Sequence, residues 1–520
     1  MLEWGSDPTI FTDEHTVQEA LRLCNERGLK ITICDSALAA NIVGKSEGEI
    51  VELVNRYKDN KSVVGYFLGD EPANANPYGR IARIMSREHP GCIVQLNLLP
   101  TFALEDPRGH VEDWINAAGV DNLRYLSYDQ YPFGLEEGSI PQMFPNMDFI
   151  REIGLKYGVD TALYIQSVGV VNGFGRPTVS ETRYHTSAAL AYGYKNLKYF
   201  TWLTPVDRGE EFTNAIISPE GEKTDTFEGI AKINRDIKKV SKILGHLDAV
   251  EIYHNGRVDM GTTMLEPGWY LESTDNSDFL VSLMVDRDNG TNYFMVVNKN
   301  FKDDVKLTLK LNGIKRLTDV TSGSDKKVRI SRGKFKCEMV SGGFRLYRID
   351  DNVSLQKPYE DDSDTNLALG KPVYSTSSIG ENGYYNYKVV DGQRKSSKMS
   401  IGWRYVGSND EEIFITVDLK REIDINRVDL YPVTGSLGMN GAFFPRKYTI
   451  IYSLDGKDYE EIVEDTYDSD KPLSYKFDTI KARYVKIRVD EAVNFSNIYY
   501  AEIGEIEIYN DDGTIPEYQY

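Results

Sequence analysis

Short apolar, β-branched runs alternate with helix-patterned stretches through the first half of the chain. The runs read ITICDS (31–36), VVGYFLGDE (63–71), CIVQLNLLP (92–100), LRYLSYDQYPF (123–133), TALYIQSVG (161–169) and LKYFTWLTP (197–205). Between the opening MLEWG and the first of them, Val17, Ala20, Leu21 and Cys24 recur at helical spacing, and Gly28 sits where a helix C-cap belongs. Repeated strand–helix units predict a parallel sheet over residues 1–247. With MLEWG there are seven strands, one short of a (β/α)8 TIM barrel. The first barrel strand is therefore expected to be missing, with MLEWG as the second strand, VVGYFLGDE as the fourth and LKYFTWLTP as the last.

Helical periodicity stops near residue 248. FLVSLMV, YFMVVNKN, VKLTLKL and GFRLYRI, with turns at Asp-Asn-Gly and Gly-Gly, predict a small β-sandwich over 248–350. A charged, proline-containing linker is expected at 351–365, and a second all-β module at 366–512.

Composition narrows the function classes. A chain of 520 residues is too long for one core. With 60 Lys+Arg against 80 Asp+Glu the net charge is −20, which argues against nucleic acid or an anionic membrane as the main partner. Cys24, Cys34, Cys92 and Cys337 show no CxxC or His-rich spacing, so they read as buried thiols rather than as a zinc site or disulfide framework. No apolar run is long enough for a membrane span, and no signal peptide precedes MLEWG; a leader is expected to have been lost with the missing strand.

The chemistry of a parallel barrel gathers where the strands end. Those ends carry Glu3 and Trp4, Asp35, Asp70 and Glu71, Asn97, Tyr128, Asp129 and Tyr131, Gln166, and Trp202. Carboxylates for proton transfer, amides for hydroxyl groups and rings to stack on pyranose faces make a sugar site. Asp70 and Glu71 are adjacent, so both can face the mouth only if the strand ends between them, which Pro72 favours. His185, in the middle of a predicted helix, reads as a packing or surface residue.

GYFLGDEP, QLNLLP, YDQYPF and RPTVSETRYHTSAALAYGYKNLKYFTW give residues 1–245 a resemblance to (β/α)8 glycoside hydrolases with the acid on strand four, such as the family 42 galactosidase-like enzymes. The resemblance implies Glu71 as general acid/base, Asp70 where those enzymes usually carry a sugar-contacting Asn, and Trp202 at the sugar site. Where retaining members keep a nucleophilic Glu, this chain has Gln166. Three readings stay open: a displaced nucleophile at Asp129 or Glu3, an inverting enzyme, or a substrate whose 2-acetamido group attacks with Asp70 holding its N–H. Tyr128-Asp129 is also similar to the Tyr-Asp of chitinase-like barrels. Their DxxDxDxE signature is absent, because Phe67 and Gly69 stand at two of its acidic positions.

NLALGKPV, KVVDG, ITVDLKREIDINRVDLYP, FPRKYTIIYSLDGKDYEEI, ARYVKIRV and AEIGEIEIY give residues 366–510 a resemblance to discoidin-type domains and the family 32 carbohydrate-binding modules. It implies a jelly-roll that brings an enzyme to galactose- or N-acetylhexosamine-containing glycans. It also implies a structural calcium held through Lys388, Asp391, Ser400 and Glu502, and ligand contacts among Tyr384, Tyr385, Phe443 and Arg446; Trp403 reads as core. No cofactor is expected for catalysis. The expectation is thus a secreted or cell-surface glycoside hydrolase acting on glycans, without nucleic acid or membrane insertion. The alternative is a glycan-binding protein whose barrel is inactive.

Overall fold

In the computed structural model, described residues run from 3 to 511 apart from 7–13, 35–40, 105–106, 135–139, 141–142, 207–208, 258, 260, 266–267, 275–276, 352–365, 370, 377–383, 385, 397–400, 409, 411, 435–439 and 468–470. They fall into two compact units. One comprises residues 1–252, 279–309 and 314–352; the other comprises 253–278, 310–313 and 353–520.

The first unit begins with the strand–helix alternation that the sequence predicts. Its elements are β1 (Glu3–Ser6), α1 (Glu14–Arg27), β2 (Ile31–Ile33), α2 (Glu47–Tyr57), β3 (Val63–Asp70), α3 (Asn76–Glu88), β4 (Ile93–Leu98) and α4 (Pro107–Ala118). They continue as β5 (Tyr125–Asp129), α5 (Met143–Tyr157), β6 (Asp160–Gln166), α6 (Val179–Ala191), β7 (Asn196–Phe200) and α7 (Phe227–Leu244). Helix starts are fixed chemically: capping boxes Ser46–Glu49 and Thr178–Glu181 satisfy the first amides of α2 and α6. The seven strands pair in the order β1-β7-β6-β5-β4-β3-β2.

Seven strands are present as counted, but their order differs from the expected one at β1. β1 lies parallel to β7, with Glu3 opposite Asn196 and Ser6 opposite Tyr199, whereas the expected order sets MLEWG beside the ITICDS strand, β2. Among the described residues β1 and β2 are the two ends of the order, so a parallel sheet is present and a closed eight-strand barrel is not. The strands are buried on both faces, as parallel strands covered by helices must be: β6 is buried at every position after Asp160.

The sandwich strands follow as β8 (Leu247–Asn255), β9 (Leu271–Ser273), β10 (Phe279–Asp286), β11 (Asn292–Asn298), β12 (Val305–Leu311), β13 (Leu317–Asp319), β14 (Lys326–Lys327), β15 (Lys334–Met339) and β16 (Phe344–Ile349). Six of them form one sheet in the order β14-β13-β16-β11-β10-β8. Most of this sandwich shares a unit with the α/β sheet, whereas the sequence pattern separates them. Arg183 on α6 donates to the Ser341 carbonyl at 2.7 Å, and a Cβ on Gly342 (φ +63°) would come within 2.6 Å of the Ser180 carbonyl, so glycine permits the close approach.

The second unit contains the C-terminal all-β module. β19 (Ile413–Tyr431) and β22 (Leu473–Glu491) are its long central strands, flanked by β17 (Val373–Ser375), β20 (Lys447–Ser453), β21 (Glu460–Thr466) and β25 (Glu505–Tyr509). β18 (Trp403–Gly407), β23 (Val493–Phe495) and β24 (Ile498–Ile503) form a smaller sheet. Trp403 is fully buried in this core, as expected. The predicted linker lies outside the described residues except for Asp351.

Candidate functional site

The ends of β3, β4 and β5 bring three carboxylates together. Pairing sets Asp70 beside Asn97 and Asn97 beside Ser127. Asp70 closes β3, and Glu71 follows with φ +43°, a left-handed conformation unusual for a residue with a Cβ. Its amide still reaches the Asn97 carbonyl at 2.9 Å. This local turn resolves the alternation problem: the backbone leaves strand geometry at Glu71, so both neighbouring carboxyls join the same cluster.

Asn97 is the hub. Its side-chain NH2 donates to Asp70 Oδ1 at 2.9 Å and to Asp129 Oδ1 at 2.7 Å, while its carbonyl oxygen accepts from the Ser127 hydroxyl at 3.1 Å. The amide is therefore spent on holding carboxylates, and the expected role of Asn97 as a direct sugar contact is corrected to that of a positioning residue. Ser127, which orients it, went unnoticed in the sequence because a strand serine carries no distinctive signal.

Electrostatics separate the three acids. Desolvation, then the charges of Asp129 and Asp70, then a hydrogen bond to Asp129, push the Glu71 carboxyl up to about 7. Asp129 is also raised, chiefly by burial, against hydrogen bonds from Tyr131, Asn97 and Glu71 that favour its charged form. Asp70 is raised by burial, partly offset by Asn97. All three acids are raised above the usual carboxylate range, so the cluster holds on to a proton. Although solvent reaches Asp70 and Glu71 at the rim, the neighbouring protein atoms and like charges deny them full hydration.

The nearness of the acids bears on a second expectation. A retaining pair flanks the scissile bond at about 5–5.5 Å and an inverting pair stands farther apart. Asp129 and Asp70 both act on Glu71 from within this cluster, and Asp129 stays a candidate nucleophile beside it.

Other expected contacts divide. Tyr131 is half-buried, stacked on Phe174 and Phe200 with centroids 4.8 Å away in both cases, and bonded to Asp129. Tyr128, one residue before Asp129 on β5, faces the other way; it is 1% exposed against Tyr194, a core residue and not a sugar contact. Trp202 follows β7 and is 37% exposed, packed on Tyr199 and Phe227. The side chains of Glu3 and Trp4, and the whole of Asp35, lie outside the described residues.

Gln166 is corrected outright. It is 0% exposed, its NH2 donates to the carbonyls of Phe133 and Gly175 at 3.0 and 2.7 Å, and its oxygen accepts from the Phe133 amide at 2.9 Å. A Cβ on Gly175 would meet the Gly134 carbonyl at 2.2 Å, so the two segments are in backbone contact. Gln166 thus clamps the chain that follows β5 to the chain that follows β6. His185 is buried behind it, Nδ1 accepting from the Gln166 amide at 3.3 Å, and burial lowers its pKa to about 3.

In the C-terminal module the expected metal set breaks apart. Glu502 is fully buried, hydrogen-bonded by Tyr384 at 3.1 Å and ion-paired with Arg404, whose guanidinium also lies 3.6 Å over the Tyr384 ring. A carboxylate neutralised by arginine is a poor cation ligand, and Tyr384 is part of this packing instead of an open platform. Asp391 instead neighbours Glu505, a fully buried carboxylate. Glu505 Oε1 accepts from the Gly392 amide at 2.7 Å, while Oε2 is buried without a partner; burial, then the charge of Asp391, raise its pKa well above normal. That orphaned oxygen beside a second acid suits a cation, although Lys388 Nζ lies 3.3 Å from Asp391. Ser400 and Tyr385 lie outside the described residues. Among the described residues no three His, Cys, Asp or Glu side chains are arranged to hold a metal, so carbonyl oxygens would have to complete the shell.

Phe443 is 6% exposed, stacked on Tyr500 at 4.7 Å and edge-on to Phe495 at 5.9 Å. The accessible ring of this cluster is Phe495, 50% exposed beside the β23–β24 turn, with Arg446 also exposed. Phe495 and Tyr500 are further residues that the sequence reading missed; NFSN, a polar turn carrying one aromatic, was the available signal.

Residues 373–504 match the F5/8 type C domain, which makes the C-terminal module a jelly-roll of the discoidin type. No curated protein matches the chain. Similar solved structures include the module CpGH89CBM32-5 from Clostridium perfringens in complex with GalNAc-β-1,3-galactose, at 23% identity over 26% of this chain and 94% of that one, TM-score 0.22. The family 32 module of C. perfringens NanJ in complex with galactose is 23% identical over 26% of this chain and 92% of its own, TM-score 0.22. Chitosan-binding module 2 from a Paenibacillus sp. IK-5 chitosanase/glucanase, in complex with chitotriose, is 19% identical over 28% of this chain and 100% of its own, TM-score 0.23.

Proposed function

We propose that the protein is a glycoside hydrolase carrying a glycan-binding module, with Glu71 as proton donor. The observation that carries the reading is the carboxylate cluster: Glu71, raised to about 7, sits between Asp129 and Asp70 at the strand ends. A carboxyl that keeps its proton near neutrality is what protonation of a departing sugar oxygen requires.

The absence of a carboxylate at Gln166 and the placement of Asp70, held by Asn97, directly beside Glu71 favour the substrate-assisted course. The 2-acetamido oxygen of the substrate attacks the anomeric carbon as the glycosidic C–O bond breaks, and the Glu71 proton passes to the leaving oxygen. Asp70 Oδ2, which takes no hydrogen bond among the described residues, accepts the acetamido N–H and stabilises the oxazolinium charge. Water then adds to the anomeric carbon, reopening the ring, and its proton returns to Glu71. Tyr131 and Trp202 supply aromatic faces at this mouth. In the module, Phe495, Tyr500 and Arg446 are the proposed glycan contacts, and a calcium ion held by Asp391 and Glu505 would tie the 388–392 loop to β25.

The test is hydrolysis by the full chain across aryl N-acetylhexosaminides and galactosides. Glu71→Gln should lower kcat/KM on poor leaving groups by about 10²–10⁴-fold. Glu71→Ala should recover on activated aryl groups, whereas Asp70→Asn should stay impaired on every N-acetyl substrate. A Glu71→Gln enzyme as active as wild type removes Glu71 as the acid. No turnover by wild type on any member favours the second reading, a glycan-binding protein without hydrolysis, to which Gln166 in place of a nucleophile also points.

A further inference from the structure

The most concentrated positive charge in this acidic chain lies on the segment that leads from β14 through a tight turn into β15, away from any residue assigned above. Within residues 325–336, DKKVRISRGKFK, stand Lys326, Lys327, Arg329, Arg332, Lys334 and Lys336 against the single acid Asp325. Asp325 is already taken by Arg348 at 2.7 Å. All six cationic residues are exposed, and none makes an ion pair or a side-chain hydrogen bond among the described residues.

The segment is ordered by its backbone. Ser331 and Lys334 exchange both amide–carbonyl hydrogen bonds, at 2.8 and 3.0 Å, around Arg332 and Gly333 with φ of +52° and +72°, a two-residue hairpin turn. β14 is pinned to β13, Thr318 opposite Lys327 and Asp319 opposite Lys326. Along β15 exposure alternates, so Lys334 and Lys336 point outward while Phe335, Cys337 and Met339 enter the core. Lys326, Lys327, Arg329, Lys334 and Lys336 line a cavity of about 660 Å³, and its one acid, Asp319, faces Arg345 at 3.7 Å.

We propose that this cleft binds a sulfated polysaccharide. Six like charges held on one short segment repel one another in the free protein, and an anionic chain relieves that repulsion while releasing its counterions. Basic runs of this kind are footprints for heparin-like or nucleic-acid polyanions. The segment exposes no large apolar or aromatic side chain: Phe335 is 2% and Tyr347 3% exposed. It therefore lacks the stacking rings of a single-strand nucleic-acid groove and the apolar wedge of a membrane anchor. Sulfate esters stay ionised and present an array of anionic oxygens with which Lys and Arg pair.

The experiment titrates the full chain against a fluorescent heparin decasaccharide. Wild type should bind, and its affinity should fall at least tenfold between about 50 and 200 mM salt. Lys327→Gln, Arg329→Gln, Lys334→Gln and Lys336→Gln combined should weaken binding at least tenfold with an unchanged unfolding midpoint. The single charge reversal Lys334→Glu should weaken it at least threefold and serves where the combined variant does not fold. Desulfated heparin, single-stranded DNA and phosphatidylserine vesicles should compete poorly. No binding by wild type at low salt, unchanged binding by folded variants, or equal competition by desulfated heparin, DNA or vesicles would each overturn the proposal.

Discussion

At the scale of single residues, the chemistry turns on which carboxylate has a partner of opposite charge and which has not. Glu502 and Glu505 stand three residues apart in AEIGEIEIY, and the sequence offers no means of choosing between them as the acid beside Asp391. Packing chooses: each acid keeps one buried oxygen without a partner, but Arg404 neutralises Glu502, whereas Glu505 has no cationic partner among the described residues and lies next to Asp391. A cation there would offset the repulsion between the two acids. The full chain should therefore melt at a lower temperature in chelator, and Glu505→Gln should abolish that difference while Glu502→Gln leaves it in place. A melting curve of wild type indifferent to chelator contradicts the calcium assignment. Tyr128 teaches a similar lesson with a legible signal: it precedes Asp129 on the same strand, so strand alternation alone turns it to the opposite face.

At the scale of elements, the strand–helix alternation, the sandwich and the jelly-roll were readable because period-2 and period-3.6 patterns are strong over whole segments. The ends of β3, β4 and β5 were readable as a site for the same reason, since parallel strands place their C-terminal residues at one edge. The position of β1 was not readable: a five-residue run has no feature that says which neighbour it will pair with, and only the hydrogen bonds to β7 decide it. Gln166 looked like a ligand because a strand-end amide has the same sequence whether it meets a sugar or a loop carbonyl. As a clamp it predicts a stability effect. Gln166→Ala would strip partners from two carbonyls and one amide in a buried setting, a loss on the order of 3 kcal/mol seen as a lower denaturant midpoint. A variant as stable as wild type would return Gln166 to the list of ligand contacts.

At the scale of the whole molecule, the chain joins a parallel α/β sheet with an acid cluster at its strand ends to an F5/8 type C module. The four cysteines are free, and among the described residues no helix is long and apolar enough to cross a membrane. What unites the proposed activity is the proton on Glu71, placed there by desolvation and by Asp129 and Asp70. The protonated form is the active one for leaving-group departure, so activity is present below the raised pKa and is lost as pH rises through it. The most direct test is the pH dependence of kcat/KM on an aryl N-acetylhexosaminide with a poor leaving group, for wild type beside Asp129→Asn. The account predicts an alkaline limb with its midpoint near 7 in wild type, displaced to lower pH when the Asp129 charge is removed. A profile flat from about pH 5 to 9, or a limb that Asp129→Asn leaves unmoved, would contradict it.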